Sequence, residues 1–202
     1  MVGLITTDGS LSSDKRHIDF SSKDLDQVEN LVKILDLKNR ITIKKGSYSS
    51  EKAYYRVQFG NVVLYRFLES IGITSNKTKT IGELRIPDDY FFDFLRGHLD
   101  GDGYTYSFWD SKWKTSFRLY CAFLSASESH LVWIRDQIKK LLRLEGTVRF
   151  KGKSTHELKY AKKSSVTILK SIYYSDDLVC LERKRFKITK ALSIICELRN
   201  KK

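Results

Sequence analysis

The sequence predicts an α+β fold made of two pseudo-symmetric halves, each running α-β-β-α-β-β-α with antiparallel sheets. Three observations predict it. The segment Gly3-Leu4-Ile5-Thr6-Thr7-Asp8-Gly9 returns 94 residues later as Gly97-His98-Leu99-Asp100-Gly101-Asp102-Gly103, and an internal repeat bears on the architecture before any single element does. Stretches after each copy alternate polar and apolar residues, as half-buried strands do. Between them lie stretches with apolar residues three and four apart, the helical spacing.

In the first half, residues 16–22 alternate as a strand. Residues 25–37 carry Val28, Leu31, Ile34 and Leu35 on one helical stripe. Residues 40–45 and 53–59 predict two strands about a turn at Gly46-Ser47, and 62–71 predicts a helix. In the second half, residues 104–108 and 116–125 read as strands, and Leu131, Ile134, Ile138 and Leu141 mark a helix. Strands over 147–151 and 157–161 follow, then helices over 166–173 and 186–198. A single proline, Pro87, and the lack of a Gly/Ser linker predict two tightly joined halves, 1–90 and 91–202.

Composition narrows the partners. The 202 residues hold 37 Lys and Arg against 24 Asp and Glu, a formal charge of +13. Such an excess points to a polyanion, nucleic acid foremost. An aromatic content of 12% argues against a disordered basic tail. Cys121, Cys180 and Cys196 form no CxxC pair, which argues against a zinc site or a disulfide framework and fits a reducing compartment. The apolar start at residues 1–5 is cut short by Asp8 and has no basic flank, so neither a signal peptide nor a membrane span is expected. The expectation is a soluble protein of the cytoplasm or an organellar matrix, not a secreted one.

Gly3 and Thr7 are four apart, as are Gly97 and Gly101. On a helix each pair shares a face, and small residues there let two helix backbones touch. Glycine inside a helix costs about 1 kcal/mol relative to alanine, so close packing is a reasonable compensation. Packing these two helices would bring Asp8 and Asp102 together at the junction of the halves. Two carboxylates so placed repel unless a cation lies between them. Mg²⁺ suits such a pair, since it needs few protein carboxylates and completes its shell with water and substrate phosphates.

Residues 1–9 and 95–103 resemble the nine-residue signature of the LAGLIDADG homing endonucleases of the single-chain, two-motif type. The second copy follows Ile86-Pro87 and Phe91-Phe92-Asp93-Phe94, a lead-in common in that family. The resemblance implies a site-specific endonuclease that hydrolyses both strands of DNA with a divalent metal, one cut per half, leaving short 3′ overhangs. By the same resemblance Asp8 and Asp102, at the eighth motif position, hold the metal, and the candidate ligand set is Asp8, Gly9, Gly101 and Asp102. Mg²⁺ is the expected cofactor, with Mn²⁺ substituting and Ca²⁺ supporting binding without cleavage. The sixth position, usually acidic in the family, is Thr6 in one copy and Asp100 in the other. Lys77, in Ser75-Asn76-Lys77-Thr78, and Lys184, in Leu181-Glu182-Arg183-Lys184, match the lysines that help activate water or stabilise phosphate charge. Ser22 and Ala126 lie near the place of a water-positioning polar residue and match it poorly. A motif helix beginning at Met1 is shorter than the family's, so it would bury less.

The two sheets would form a DNA-binding saddle, with the helices under one face. The polar parity of the first sheet holds Arg40, Thr42, Lys44, Tyr54, Arg56 and Gln58; that of the second holds Ser116, Arg118, Tyr120, Thr147, Arg149 and Lys151. Solvated sheet faces look similar without a ligand, but the surplus of arginine and lysine favours major-groove readout and phosphate contacts. One helical turn per half predicts a double-stranded site of roughly 20 base pairs. It should be asymmetric because the halves differ, and the duplicated motif needs no dimer. His17, His98, His130 and His156 show no HxxxH or HNH-like grouping; each is expected to be structural or at the surface, with His98 on an exposed side of its helix. Trp109, Trp113 and Trp133 are expected as core or loop anchors. The chain shows no splicing-type termini, which suggests a free-standing, intron-encoded protein. Two alternatives share the fold: an RNA-splicing maturase that binds intron RNA, and a DNA-binding regulator without catalysis.

Overall fold

The computed structural model describes residues 1–45 and 53–200. Helix α1 (Val2–Asp8) leads into β1 (Gly9–Leu11), β2 (His17–Ser22), α2 (Leu25–Ile34), β3 (Thr42–Lys45), β4 (Ala53–Gly60) and α3 (Val62–Ser70). A connection with two short 3-10 turns, Lys77–Lys79 and Asp88–Tyr90, reaches α4 (Phe91–Gly101). The second half then runs β5 (Tyr104–Trp109), β6 (Phe117–Ser125), α5 (Glu128–Leu142), β7 (Thr147–Gly152), β8 (Thr155–Tyr160), α6 (Lys162–Ile172) and α7 (Glu182–Asn200). The expected α+β architecture is present, with two four-stranded antiparallel sheets ordered β1-β2-β4-β3 and β5-β6-β8-β7. The turn expected at Gly46-Ser47 lies outside the described residues.

Local chemistry explains where the elements stop. Helix α2 ends at Ile34 rather than at 37 because Asp36 takes a left-handed φ of 45° and Leu37 N–H returns to the Val32 carbonyl at 3.0 Å. This closes the helix by satisfying a late carbonyl, as a Schellman turn does. Helix α3 begins where the Asn61 side chain accepts the Leu64 N–H at 2.9 Å, a standard N-cap. Strand β1 has only three residues, too few for alternation to reveal, and is held by pairing Leu11 with Ile18.

Two of the candidate DNA-contact residues, Arg40 and Ser116, fall outside the strands expected to carry them. Arg40 precedes β3, which begins at Thr42 opposite Arg56. The Asn39 side-chain amide takes the Gln58 carbonyl at 3.1 Å, an acceptor that a longer β3 would have engaged through its backbone. Ser116 stands one residue before β6, in a turn where its N–H bonds the Trp113 carbonyl at 2.7 Å and its carbonyl accepts from Asp110 N–H at 2.9 Å.

One continuous core unites the halves. Ile18, Phe20, Val57 and Phe59 point inward from the first sheet, and Leu119, Cys121, Phe123 and Leu158 from the second. Between them α1 and α4 supply Leu4, Ile5, Leu95 and Leu99. The cysteines are free thiols, with Cys121 and Cys180 buried and Cys196 exposed. Trp133 is in the core, whereas Trp109 and Trp113 are exposed. Among the described residues no helix is long and apolar enough to cross a membrane.

Candidate functional site

The site begins with the crossing of α1 and α4. A Cβ placed on Gly3 would lie 2.1 Å from the Phe94 carbonyl oxygen and 2.6 Å from His98 N. One placed on Gly97 would lie 2.9 Å from Leu4 N. Backbone therefore meets backbone, the contact that the small-residue spacing predicts. One turn further along, a Cβ on Gly101 would strike the Thr7 hydroxyl at 2.0 Å and the Asp8 carboxylate at 2.8 Å. The crossing thus places Asp8, the last residue of α1, directly against the end of α4, where Asp102 is the cap.

Asp8 accepts from Gln27 Nε2 at 3.0 Å and from Thr7 Oγ1 at 3.3 Å. Burial, reinforced by the charge of Asp102, raises its carboxyl to about 6. Burial also pushes Asp102 upward, while Lys184 and Lys77 pull it back. Asp102 is the more open of the two to solvent, which softens the push. Two carboxylates that resist sharing negative charge are the donor chemistry of a divalent cation site. Gln27 Oε1, buried beside Asp8, has no partner among the described residues.

Lys77 and Lys184 occupy equivalent places. Lys77, buried in the first 3-10 turn, donates to the carbonyl of Gly9. Lys184, in the first turn of α7, donates to Leu99, Asp100 and Gly103 carbonyls at 2.7 Å each and to Gly101 at 3.1 Å. Gly9 and Gly103 are the closing residues of the two motif copies. The last carbonyls of a helix lack intrahelical partners and carry the negative end of its dipole, so an ammonium is favoured there. Burial lowers Lys184 to about 8 and lowers Lys77 from the usual range, with Asp8 and Asp102 acting against the shift in both. The carbonyls of Gly9 and Gly101 therefore already accept from lysine.

Each lysine segment is braced by the opposite half. Ser127 and Ser129 at the start of α5 bond the Ile81 carbonyl, at 2.5 and 3.2 Å, and His130 Nδ1 bonds Gly82 at 2.8 Å. Across the junction Asn30 of α2 donates to the Cys180 carbonyl at 2.9 Å, and Arg183 clasps Asp24 through two bonds of 2.7 and 2.5 Å.

The sixth motif position is structural in both copies. Asp100 is buried, accepts Leu181 N–H at 3.0 Å and the Tyr173 hydroxyl at 3.3 Å, and is raised to about 6 by burial. Thr6 bonds back to the Val2 carbonyl at 3.0 Å. His98 is 1% exposed, which corrects the expectation of a surface position. It stacks on His130 at 5.3 Å beside Phe94 and Phe123 because this side of α4 faces α5 and β6. Burial holds both imidazoles down, His130 at about 4.

The outward sheet faces carry most of the remaining candidates. On the first, the register puts Thr42, Lys44, Tyr54, Arg56 and Gln58 on one face with Asp19 and Ser21. Arg56 is pinned by Asp19 and reaches Gln58 Oε1 at 3.3 Å. On the second, Arg118, Tyr120, Thr147, Arg149 and Lys151 share a face with Tyr104, Tyr106, Phe108 and Lys159. Arg149 and Lys151 bind the fully buried Glu157, at 2.8 and 2.6 Å, and Tyr104 joins them. Burial pushes Glu157 up, but bonds from Lys151, Tyr104 and Arg149 together outweigh it and bring the carboxyl down to about 2. Sequence reasoning did not single out Gln27, Glu157, Lys159 or the β5 aromatics. Gln27 stands four and seven residues before Leu31 and Ile34, so a polar residue on the apolar stripe was its signal.

This architecture, with two motif helices crossing under two sheets, is the LAGLIDADG fold. Residues 1–72 match the family model described as a LAGLIDADG-like domain. The LAGLIDADG meganuclease I-AabMI, solved bound to uncleaved DNA, superposes with a TM-score of 0.63 at 15% identity over 99% of this chain and 90% of its own. I-DmoI in complex with DNA and Mn gives 0.54 at 16% over 87% and 94%. The N-terminal LAGLIDADG domain of DUF199/WhiA gives 0.57 at 19% over 88% and 80%. No curated protein matches the sequence. Likeness at these identities establishes the fold and leaves the chemistry to be argued from the site.

Proposed function

We propose that this chain is a metal-dependent, site-specific endonuclease that cuts both strands of an asymmetric duplex of roughly 20 base pairs as a monomer. The observation that carries this reading is the pairing of Asp8 with Asp102 at the helix crossing, between two sheets whose outward faces bear basic side chains. The repeats divide at 1–90 and 91–202, one active acid in each. The donor set fits Mg²⁺, with Mn²⁺ as substitute: two carboxylates, with phosphate oxygens and water completing the shell. Gly9 and Gly101 carbonyls can contribute through their second lone pairs. The cation, when bound, supplies charge neutralisation at the phosphate and a more acidic water.

The chain's own groups do the remainder. Asp8 and Asp102 hold one position per strand, and Gln27 fixes the Asp8 carboxylate. Lys77 and Lys184 keep positive charge beside the scissile phosphates, which favours a transition state that gathers negative charge. Thr42, Lys44, Tyr54, Arg56 and Gln58 face one half-site; Arg118, Tyr120, Thr147, Arg149 and Lys151 face the other. Arg40 and Ser116 flank these faces as loop contacts.

One observation favours a second reading, a DNA binder without cleavage: both lysines are already tied to motif carbonyls. The experiment selects bound duplexes from a random pool in Ca²⁺ and then adds Mg²⁺, with Asp8→Asn and Asp102→Asn alongside. Double-strand cuts at a discrete site, lost in both variants, are expected. Site-specific binding without cuts would establish the regulator, and retention of structured intron RNA in place of duplex would establish the maturase.

A further inference from the structure

The two outward faces differ in chemistry. The first is polar, with Arg56 held between Asp19 and Gln58. The second carries a row of rings. Tyr104, Tyr106 and Phe108 take alternate positions of β5, and Tyr120 stands opposite Tyr106 on β6. Tyr106 and Tyr120 lie 4.9 Å apart at 16°, Tyr106 and Phe108 6.1 Å apart at 3°, and Tyr104 and Tyr106 5.9 Å apart at 27°. Near-parallel rings this close overlap in offset stacks. The Lys159 ammonium sits 4.3 Å from the Tyr120 centroid, and that of Lys151 4.8 Å from Tyr104. The faces of Tyr104, Tyr106 and Tyr120 are thus engaged by one another and by cations. What remains for a partner is ring edges and, at Phe108, a side chain 45% exposed that bears no hydroxyl.

Nucleic acid can meet aromatic side chains in two ways. Unpaired bases stack on open ring faces. A thymine C5-methyl in the major groove needs only an apolar edge. The internal stacking disfavours the first way at the three tyrosines, and the second is open along the row. Arg118, Arg149, Lys151 and Lys159 around the row provide the charge that draws a duplex onto it. We infer that the second sheet selects a thymine-rich half-site in duplex DNA, packing C5-methyl groups against Phe108 and the adjoining tyrosine edges, while the first sheet reads its half-site by hydrogen bonds. This inference rests on the duplex-binding reading above.

The test uses the full chain and a duplex selected from a random pool in Ca²⁺. Thymines are replaced one at a time by deoxyuridine, which keeps the base pairing and removes only the methyl. Binding should weaken about fourfold for each methyl buried against the row, the worth of one methylene-sized apolar group, and should hold steady in the other half-site. Phe108→Ala should abolish the penalty at the thymine it touches. Phe108 is surface-exposed and outside the core, so circular dichroism should show an unchanged fold. A selected site indifferent to deoxyuridine throughout, or penalties unaltered in Phe108→Ala, would overturn the inference and leave the duplex-binding reading standing. Failure to select any duplex, or preference for single-stranded RNA, would overturn both.

Discussion

Replacing Gly3 by alanine tests the helix crossing directly. The new methyl would lie 2.1 Å from the Phe94 carbonyl oxygen and 2.6 Å from His98 N, both backbone atoms of α4 that cannot rotate away. Ordinary contact between such atoms lies near 3.5 Å, so the helices must part by about 1 Å. Overpacking of this kind costs about 1 to 3 kcal/mol, and alanine's helical preference over glycine returns about 1 kcal/mol. Because both clashes are with backbone, the cost lies at the upper end of that range, and the expected net loss is about 2 kcal/mol in urea unfolding followed by circular dichroism. Cleavage should suffer more than stability, because a 1 Å misplacement of reacting groups costs about 100-fold in rate. Single-turnover cutting of a selected duplex in Mg²⁺ should therefore slow about 100-fold while affinity in Ca²⁺ changes little. Gly97→Ala should be milder, since its nearest backbone contacts lie at 2.9 to 3.2 Å. Wild-type stability and rate in Gly3→Ala, or a larger defect in Gly97→Ala, would refute the close-crossing account.

Other outcomes follow from the charges. The folded Asp8 carboxyl is raised from 3.8 to about 6, so it costs stability as pH rises through that interval and nothing below it. Asp8→Asn should then unfold about 2 to 3 kcal/mol later than wild type above pH 6 without divalent ions, with no gain below pH 4; equal gains at both pH values would count against the site's electrostatics. Glu157 is held at about 2 against an ordinary 4.5, so its contribution is complete above pH 4.5 and disappears as pH falls through 2. Acid titration of Glu157→Gln should lack that loss, and an unchanged acid limb would refute it. Lys184→Met leaves four carbonyls without their ammonium and Lys77→Met only one, so chemical denaturation should show the larger destabilisation, about 2 kcal/mol, in the former.

The parts of the site legible in the sequence were those written twice. Asp8 and Asp102 stood out because the same glycine spacing preceded each, and one copy alone is only a capped helix. Asp100 and Thr6 show why the repeat is not a copy: Asp100 has Leu181 N–H and Tyr173 to bind, whereas Thr6 turns back on its own helix. Strand ends were less legible, because they depend on what the neighbouring chain offers, such as the Asn39 amide that takes the Gln58 carbonyl. His98 deceived because its environment comes from α5, thirty-two residues away in sequence at His130. The aromatic row was visible as period-two spacing in β5, but its stacking with Tyr120 appears only once β5 and β6 are in register.

The crossed bracing of the lysine segments limits how this molecule can be recombined. A hybrid joined near residue 90 would keep Lys77 but lose the Ser127, Ser129 and His130 side chains that seat its loop. The reciprocal hybrid would keep Lys184 without the Asp24 and Asn30 that seat the start of α7. Halves taken from two such proteins would therefore combine as working chimeras only if residues 24 and 183 travel as a pair and the donors at 30, 127, 129 and 130 are kept opposite the main-chain carbonyls they reach. The inheritance unit is the cross-junction pair, not the repeat.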